Sequence, residues 1–369
     1  MPRSTAARVS GCVQNLGDEQ GTRPARGTAV EGFTDQLAAA YQRDLSQCVL
    51  CEWRCGVNRL RGESGTCRIG PPMVASRMLH PAPPSSYTTF MAGCNFRCLH
   101  CQNWDIAHYP DTRTPIDGET DPEELARESL AMISSLSGRL IAADRLFFSG
   151  GSPTPSLPFV EAVVSAARGL NPEAKVNYDT NGFLTEESFE RVLSFATSIT
   201  FDIRAVDDQT HRAMTGAPAE PVLRNARRMA EERDKLWEFR VLVVPDINED
   251  EVEGIASLLA DVDGDVPVCF LAFRPNFVLD QHPGATIATM NRAVETARRV
   301  GLRSATWSGH PGIEGRIAAT PLRDYRKPGA ALAGGYAAAV GCVTHPRDCG
   351  FCVQRDDCPV KRYRPRRRT

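Results

Sequence analysis

The chain has 369 residues, 42% apolar and 24% charged, with a formal net charge of −2. That length suits one barrel with attachments or a few smaller domains, and the balanced charge gives no bulk attraction to nucleic acid or a membrane surface. No apolar run approaches the ~18 residues of a spanning helix, so no membrane association is expected. Residues 1–33 are polar, with glycine, proline and charges of both signs. Without an apolar centre or a small-residue cleavage site they read as a mobile arm, not a secretory signal, and a cytoplasmic location is expected.

Thirteen cysteines are many for such a chain, and they cluster. In a reducing compartment clustered cysteines more often hold metal than form disulfides. Residues 34–82 form an N-terminal four-cysteine module. Its stretch CVLCEWRCGVNRLRGESGTC carries Cys48, Cys51, Cys55 and Cys67, spaced to close on zinc or an iron–sulfur centre.

Residues 83–310 alternate β-rich runs with amphipathic stretches. SYTTFM (86–91) reads as a strand that feeds the loop GCNFRCLHCQN, with Cys94, Cys98 and Cys101. Asp121 and Pro122 open a helix whose apolar face holds Leu125, Met132, Ile133 and Leu136. The strand RLFFSGG (145–151) precedes a helix with Leu157, Val160, Val164 and Ala167 on one face. KVNYDTNG (175–182) precedes another with Phe189, Val192, Leu193 and Ala196. SITFDIRA (198–205) is a strand, followed by a helix near 221–233. FRVLVVP (239–245) leads to a helix with Val252, Ile255, Leu259 and Val262. VPVCFLAF (266–273), a helix with Met290, Val294 and Ala297, and SATWSG (304–309) complete the series.

Repeated βα units without a dinucleotide fingerprint predict an α/β fold, a full or partial barrel with functional groups at the C-terminal strand ends. Residues 311–369 form a C-terminal extension in which CVTHPRDCGFCVQRDDC carries Cys342, Cys349, Cys352 and Cys358; His345 reads as a surface histidine, with a substitute donor as the alternative. The ending KRYRPRRRT is basic and reads as a solvated tail, with an acidic partner or nucleic acid as the sharper reading. Cys12 and Cys269 stand alone.

Three thiolates on a four-iron cubane leave one iron without a protein ligand, and zinc with three cysteines and an outside ligand is the competing chemistry. The spacing C-x3-C-x2-C after a first strand resembles the signature of the radical S-adenosylmethionine (SAM) superfamily, in its pyruvate formate-lyase activating enzyme-like branch. The resemblance implies a partial (β/α)6 barrel with N- and C-terminal cysteine-rich extensions. It also implies a [4Fe–4S] cluster on Cys94, Cys98 and Cys101, the residues of catalysis, with SAM on the open iron. His100 holds a position the branch usually gives an aromatic residue near the adenine, and Asn103 closes the loop motif.

SGGSPTP places Gly150, Gly151 and Ser152 where the branch receives the SAM amino group, with serine replacing an acid. Asp179, Thr180 and Asn181 of DTNG, with Asp202, Arg204 and Arg240, match further SAM-contact segments. Asp179, Thr180 and Asp202 also correspond to a monovalent-cation site. Read without the family, glycines admit close backbone approach, two carboxylates suit a hard cation, and two arginines suit a carboxylate or a ribose hydroxyl.

The activity so implied is reductive SAM cleavage to a 5′-deoxyadenosyl radical that abstracts hydrogen from an organic substrate. A glycyl residue of a partner protein is one such substrate. Radical tailoring of a peptide, nucleoside or sugar metabolite is the alternative. The implied partners are a reductase or flavodoxin-type electron donor and either a substrate protein or a small-molecule substrate. The flanking cysteine groups stay open between auxiliary iron–sulfur clusters and zinc. A zinc-rich nucleic-acid-binding protein is the reading of another class.

Overall fold

Period-two alternation builds the sheet of this protein, which the computed structural model describes for residues 35–310, 312 and 319–365. Its strands are β1 (Val74–His80), β2 (Ser86–Met91), β3 (Arg145–Gly150), β4 (Lys175–Thr180), β5 (Ser198–Ile203), β6 (Leu236–Val243), β7 (Val268–Ala272) and β8 (Ala305–Ser308). They lie side by side in chain order. β1 runs antiparallel to β2, and every later pair is parallel. β1 and β8 are the two ends of the order, so the sheet is an open partial barrel.

On β4 to β6 the apolar positions face the helices. Val176, Tyr178, Ile199, Phe201, Ile203, Phe239, Val241 and Val243 are fully buried, each worth about 1.5–3 kcal/mol on leaving water. The alternate positions are polar and bond across the other face. Asn177 donates to Thr200 at 3.0 Å and accepts from Ser198 at 2.6 Å. This polar stripe continues upward as Asp179 and Asp202, and it is what gives the partial barrel a hydrophilic upper end.

The covering helices obey the expected faces. Leu157, Val160, Val164 and Ala167 of the helix Leu157–Leu170 are all buried. Asp121 caps Pro122–Ser134 by accepting from the amides of Glu123 and Glu124. Two positions depart from expectation. Leu136 is 68% exposed because Ser135 ends that helix and caps the next, Leu136–Leu140, turning the face away. Val262 lies past the end of Glu251–Ala260 and is exposed.

The described residues form one compact unit. Within it the indole of Trp53 lies against Gly350, where an added Cβ would come within 2.2 Å of the ring. The Trp53 Nε1 also donates to the Asn95 carbonyl at 2.7 Å. The arm at 1–33, with Cys12, and the tail end at 366–369 lie outside the described residues. No helix among the described residues is long and apolar enough to cross a membrane.

Candidate active site

The chain leaves β2 at Met91 and turns at Gly93, whose φ of +81° and contact with Ile69 exclude a side chain. The loop 94–101 is then fastened from several sides. The Arg97 amide donates to Thr215 O at 2.7 Å and the Leu99 amide to Met214 O at 3.0 Å, at the end of the helix Asp208–Thr215. Asn181 donates to the Asn95 side chain at 2.7 Å, and Asn276 to Cys101 O at 2.9 Å.

Gly150 and Gly151 are needed for the same closeness. A Cβ on Gly150 would lie 2.3 Å from Met91 N, and one on Gly151 would lie 2.2 Å from Gly93 O. The Gly151 and Ser152 amides donate to Met91 O and Gly93 O, while Asn103 donates to Gly150 O at 2.9 Å. The glycine pair therefore presses the β3 end onto the cysteine loop.

Above the strand ends lies a cavity of about 420 Å³. Cys94, Cys98, Cys101, His100, Asn103, Gly150, Gly151, Ser152, Asp179, Thr180, Asn181, Asp202, Arg204 and Arg240 all line it. The structure thus brings together every residue assigned from sequence to the cluster or to SAM.

Sequence reasoning missed Ser149, Arg274 and His310, which share the wall. Ser149 follows the inward alternation of β3 and could have been read from it. Arg274 and His310 follow the ends of β7 and β8, where the barrel rule points, but no local motif marks them.

Charge is concentrated at the strand ends. Asp202 pairs in register with Arg240 and forms an ion pair with Arg204 at 3.1 Å. Asp179 accepts from Ser149 at 2.6 Å, and its other oxygen has no hydrogen-bond partner among the described residues. Burial, then the neighbouring Asp202 charge, raises the Asp179 carboxyl to about 6.

Burial also pushes the Cys98 thiol up to about 12 and raises Cys94 and Cys101. Such thiols stay neutral until a cation shares the site. Neither ring nitrogen of His100 has a partner among the described residues, and burial, then Arg204, keeps the ring uncharged.

Among the described residues no three His, Cys, Asp or Glu side chains are gathered as ligands of a single metal ion would be. Three thiols spread along a cavity wall suit a cubane, whose ligands attach to separate irons. The orphaned polar atoms of Asp179, His100 and Arg204 suit a polar organic companion. The donor set therefore fits the two groups inferred from the motif.

The sequence pattern of the Radical SAM superfamily matches residues 88–259. This segment is a radical SAM domain. A protein of Methanocaldococcus jannaschii described as uncharacterized is 27% identical over 267 residues, 70% of this chain and 75% of its own length. The pyruvate formate-lyase-activating enzyme of Staphylococcus aureus is 26% identical over 178 residues, 46% of this chain and 66% of its own. The crystal structure of a radical SAM methyltransferase from Sphaerobacter thermophilus superposes with a TM-score of 0.43 at 13% identity, covering 65% of this chain and 78% of that one. The domain is homologous to the pyruvate formate-lyase activating enzymes, and its superfamily uses a [4Fe–4S] cluster and SAM.

The flanking cysteines are placed differently. Cys48, Cys51, Cys55 and Cys67 border one small cavity with Leu50, Trp53 and Val57. Burial, then Cys67, holds the Cys51 thiol far above its usual value. In the C-terminal extension the Cys349 amide donates to Gly216 O at 2.8 Å, and Cys352 lies 3.1 Å from the Thr344 hydroxyl. His345 instead stacks on Tyr325, with ring centres 4.3 Å apart.

Proposed function

We propose that this protein is a hydrogen-abstracting radical SAM enzyme, with Cys94, Cys98 and Cys101 as ligands of its catalytic [4Fe–4S] cluster. The observation that supports this most is the convergence of all the residues named from sequence on one cavity. When bound, the cluster supplies one electron that splits SAM into methionine and a 5′-deoxyadenosyl radical able to take hydrogen from a substrate.

The chain's own groups do the rest. Arg204 and Arg240 offer donors to a carboxylate or ribose hydroxyl, and the ion pair with Asp202 holds Arg204 in place. Asp179 and Asp202 offer oxygens suited to a monovalent cation. Uncharged His100 gives a flat wall for an aromatic base. Asn103 keeps the glycine pair against the loop.

Homology to the activating enzymes favours a glycyl residue of a partner protein as hydrogen donor. Radical tailoring of a peptide or metabolite is favoured by the cysteine-bearing extension packed behind the loop.

The test is anaerobic reconstitution with iron and sulfide under a strong reductant. Wild type should form 5′-deoxyadenosine from SAM and Cys98→Ala should not; equal product from both refutes the assignment. A glycyl radical signal on adding a co-purified partner decides for the activase, and its absence with product on a small substrate decides for tailoring.

A further inference from the structure

Three arginines are nearly sealed from solvent, Arg59 at 1%, Arg97 at 3% and Arg347 at 2% exposure. Each lies beside a cysteine group, and none pairs with a carboxylate among the described residues. Arg59 donates to Gly70 O at 2.7 Å, Pro155 O at 2.5 Å and Cys48 Sγ at 3.7 Å. Arg97 donates to Cys94 O at 2.9 Å, to Phe96 O at 2.8 Å and to Thr66 O. Arg347 donates to Ala213 O at 2.6 Å and to Arg97 O at 2.7 Å, and its Nε has no hydrogen-bond partner among the described residues.

A buried cation without a nearby anion is strongly disfavoured. Carbonyl dipoles offset part of that and carry no net charge. Thiolates of a filled cysteine centre would supply the missing charge.

Arg347 is the most telling of the three. It sits between two cysteine regions that are ~250 residues apart in the chain. A Cβ on Gly216 would come within 2.2 Å of Cys349 Sγ and 3.6 Å of Arg347 Nη2, so sulfur and guanidinium face the same point. On the other side its hydrogen bond reaches the carbonyl immediately before Cys98. Cys349, Cys342 and Cys358 on one side and Cys98 on the other all lie close enough to act electrostatically on the guanidinium. An oxidised cubane on four thiolates is net anionic, so a filled C-terminal group completes the pairing.

We propose that Arg347 is a shared counter-charge and positioning residue: it balances an anionic centre at Cys342, Cys349, Cys352 and Cys358, and from the same place eases reduction of the cluster at Cys94, Cys98 and Cys101. This deepens the function proposed above and rests on its cluster assignment. Removing the cation disfavours the reduced, more negative state of the loop cluster. Removing a thiolate from the C-terminal group frees the cation and favours that state. The two changes therefore have opposite signs, which loss of packing would not give.

The test uses the full chain, reconstituted anaerobically and poised at one fixed potential, with the reduced loop cluster read by electron paramagnetic resonance and metal counted per chain. Arg347→Met should lower the reduced-to-oxidised ratio about tenfold, equivalent to about 59 mV for one electron, and should lose metal from the C-terminal group. Arg347→Lys should restore both, and Cys349→Ser should raise the ratio. An unchanged ratio in Arg347→Met, an equal fall in Arg347→Lys, or a fall in Cys349→Ser overturns the proposal.

If Arg347→Met does not fold, Cys349→Ser still decides by its sign, and a ratio that does not rise overturns the proposal. A wild-type chain without a reducible iron signal refutes the cluster assignment. The counter-charge is then judged by metal alone, and equal metal in wild type and Arg347→Met overturns it.

Discussion

The loop cysteines border a cavity of about 420 Å³, whereas the four cysteines of the N-terminal module close on about 10 Å³. The residue type is shared and the surroundings are opposed. One set opens onto charged strand ends, and the other is packed by Leu50, Trp53 and Val57. Cysteine number and spacing alone do not separate catalysis from fastening. The space in front of the sulfur is what differs between the two sets.

The largest expected effect tests that contrast directly. Cys98→Ala should lower 5′-deoxyadenosine formation by about 10³-fold or more, the scale of losing a group essential to the chemistry. Cys51→Ala should leave product formation within about tenfold while lowering the melting temperature. Equal losses of activity would erase the distinction between the two regions.

Next is the charged rim of the open region. Asp202→Asn breaks the pair with Arg204 and should weaken SAM binding by about 10- to 100-fold, the cost of one charge-assisted bond, read by calorimetry.

Asp179 sharpens the comparison through pH, since burial and Asp202 raise its carboxyl from the usual 3.8 to about 6. The folded chain keeps a proton that the unfolded chain releases, so this contribution is fully present below pH ~3.8 and is lost as pH rises to ~6. In urea unfolding of the metal-free chain, Asp179→Asn should flatten that fall and add about 1–3 kcal/mol at pH 7.

The smallest effect falls on the C-terminal group. Gly216 has φ +82° and faces Cys349 Sγ, so Gly216→Ala should cost about 1–3 kcal/mol from strain and crowding. It should lower metal per chain without changing the residues that line the cavity.

Much of this arrangement was legible because the cues are local. β2 to β8 follow alternation and glycine punctuation, and the cysteine loop follows spacing. β1 was not foreseen: Met78 on it is half exposed, and an edge strand with mixed residues has little alternation. The helix Pro328–Ala339 also escaped notice, being alanine- and glycine-rich and buried along most of its length, with no polar face to set a period. Leu136 and Val262 misled because a capping serine and a helix end cut the periodic face short. Arg274, His310 and the three buried arginines carry no motif. Their roles come from partners on distant segments, which a linear reading does not bring together.

The stacking of Trp53 on Gly350 has a consequence for biosynthesis. The indole braces Asn95 from one side while its other contact belongs to a segment some 300 residues further on. At about 5–20 residues per second of synthesis, that is many seconds during which the nascent loop lacks its rear support. Iron delivered before residue 350 emerges meets an unfinished seat, so cofactor insertion in this protein belongs after that segment has been made and folded back.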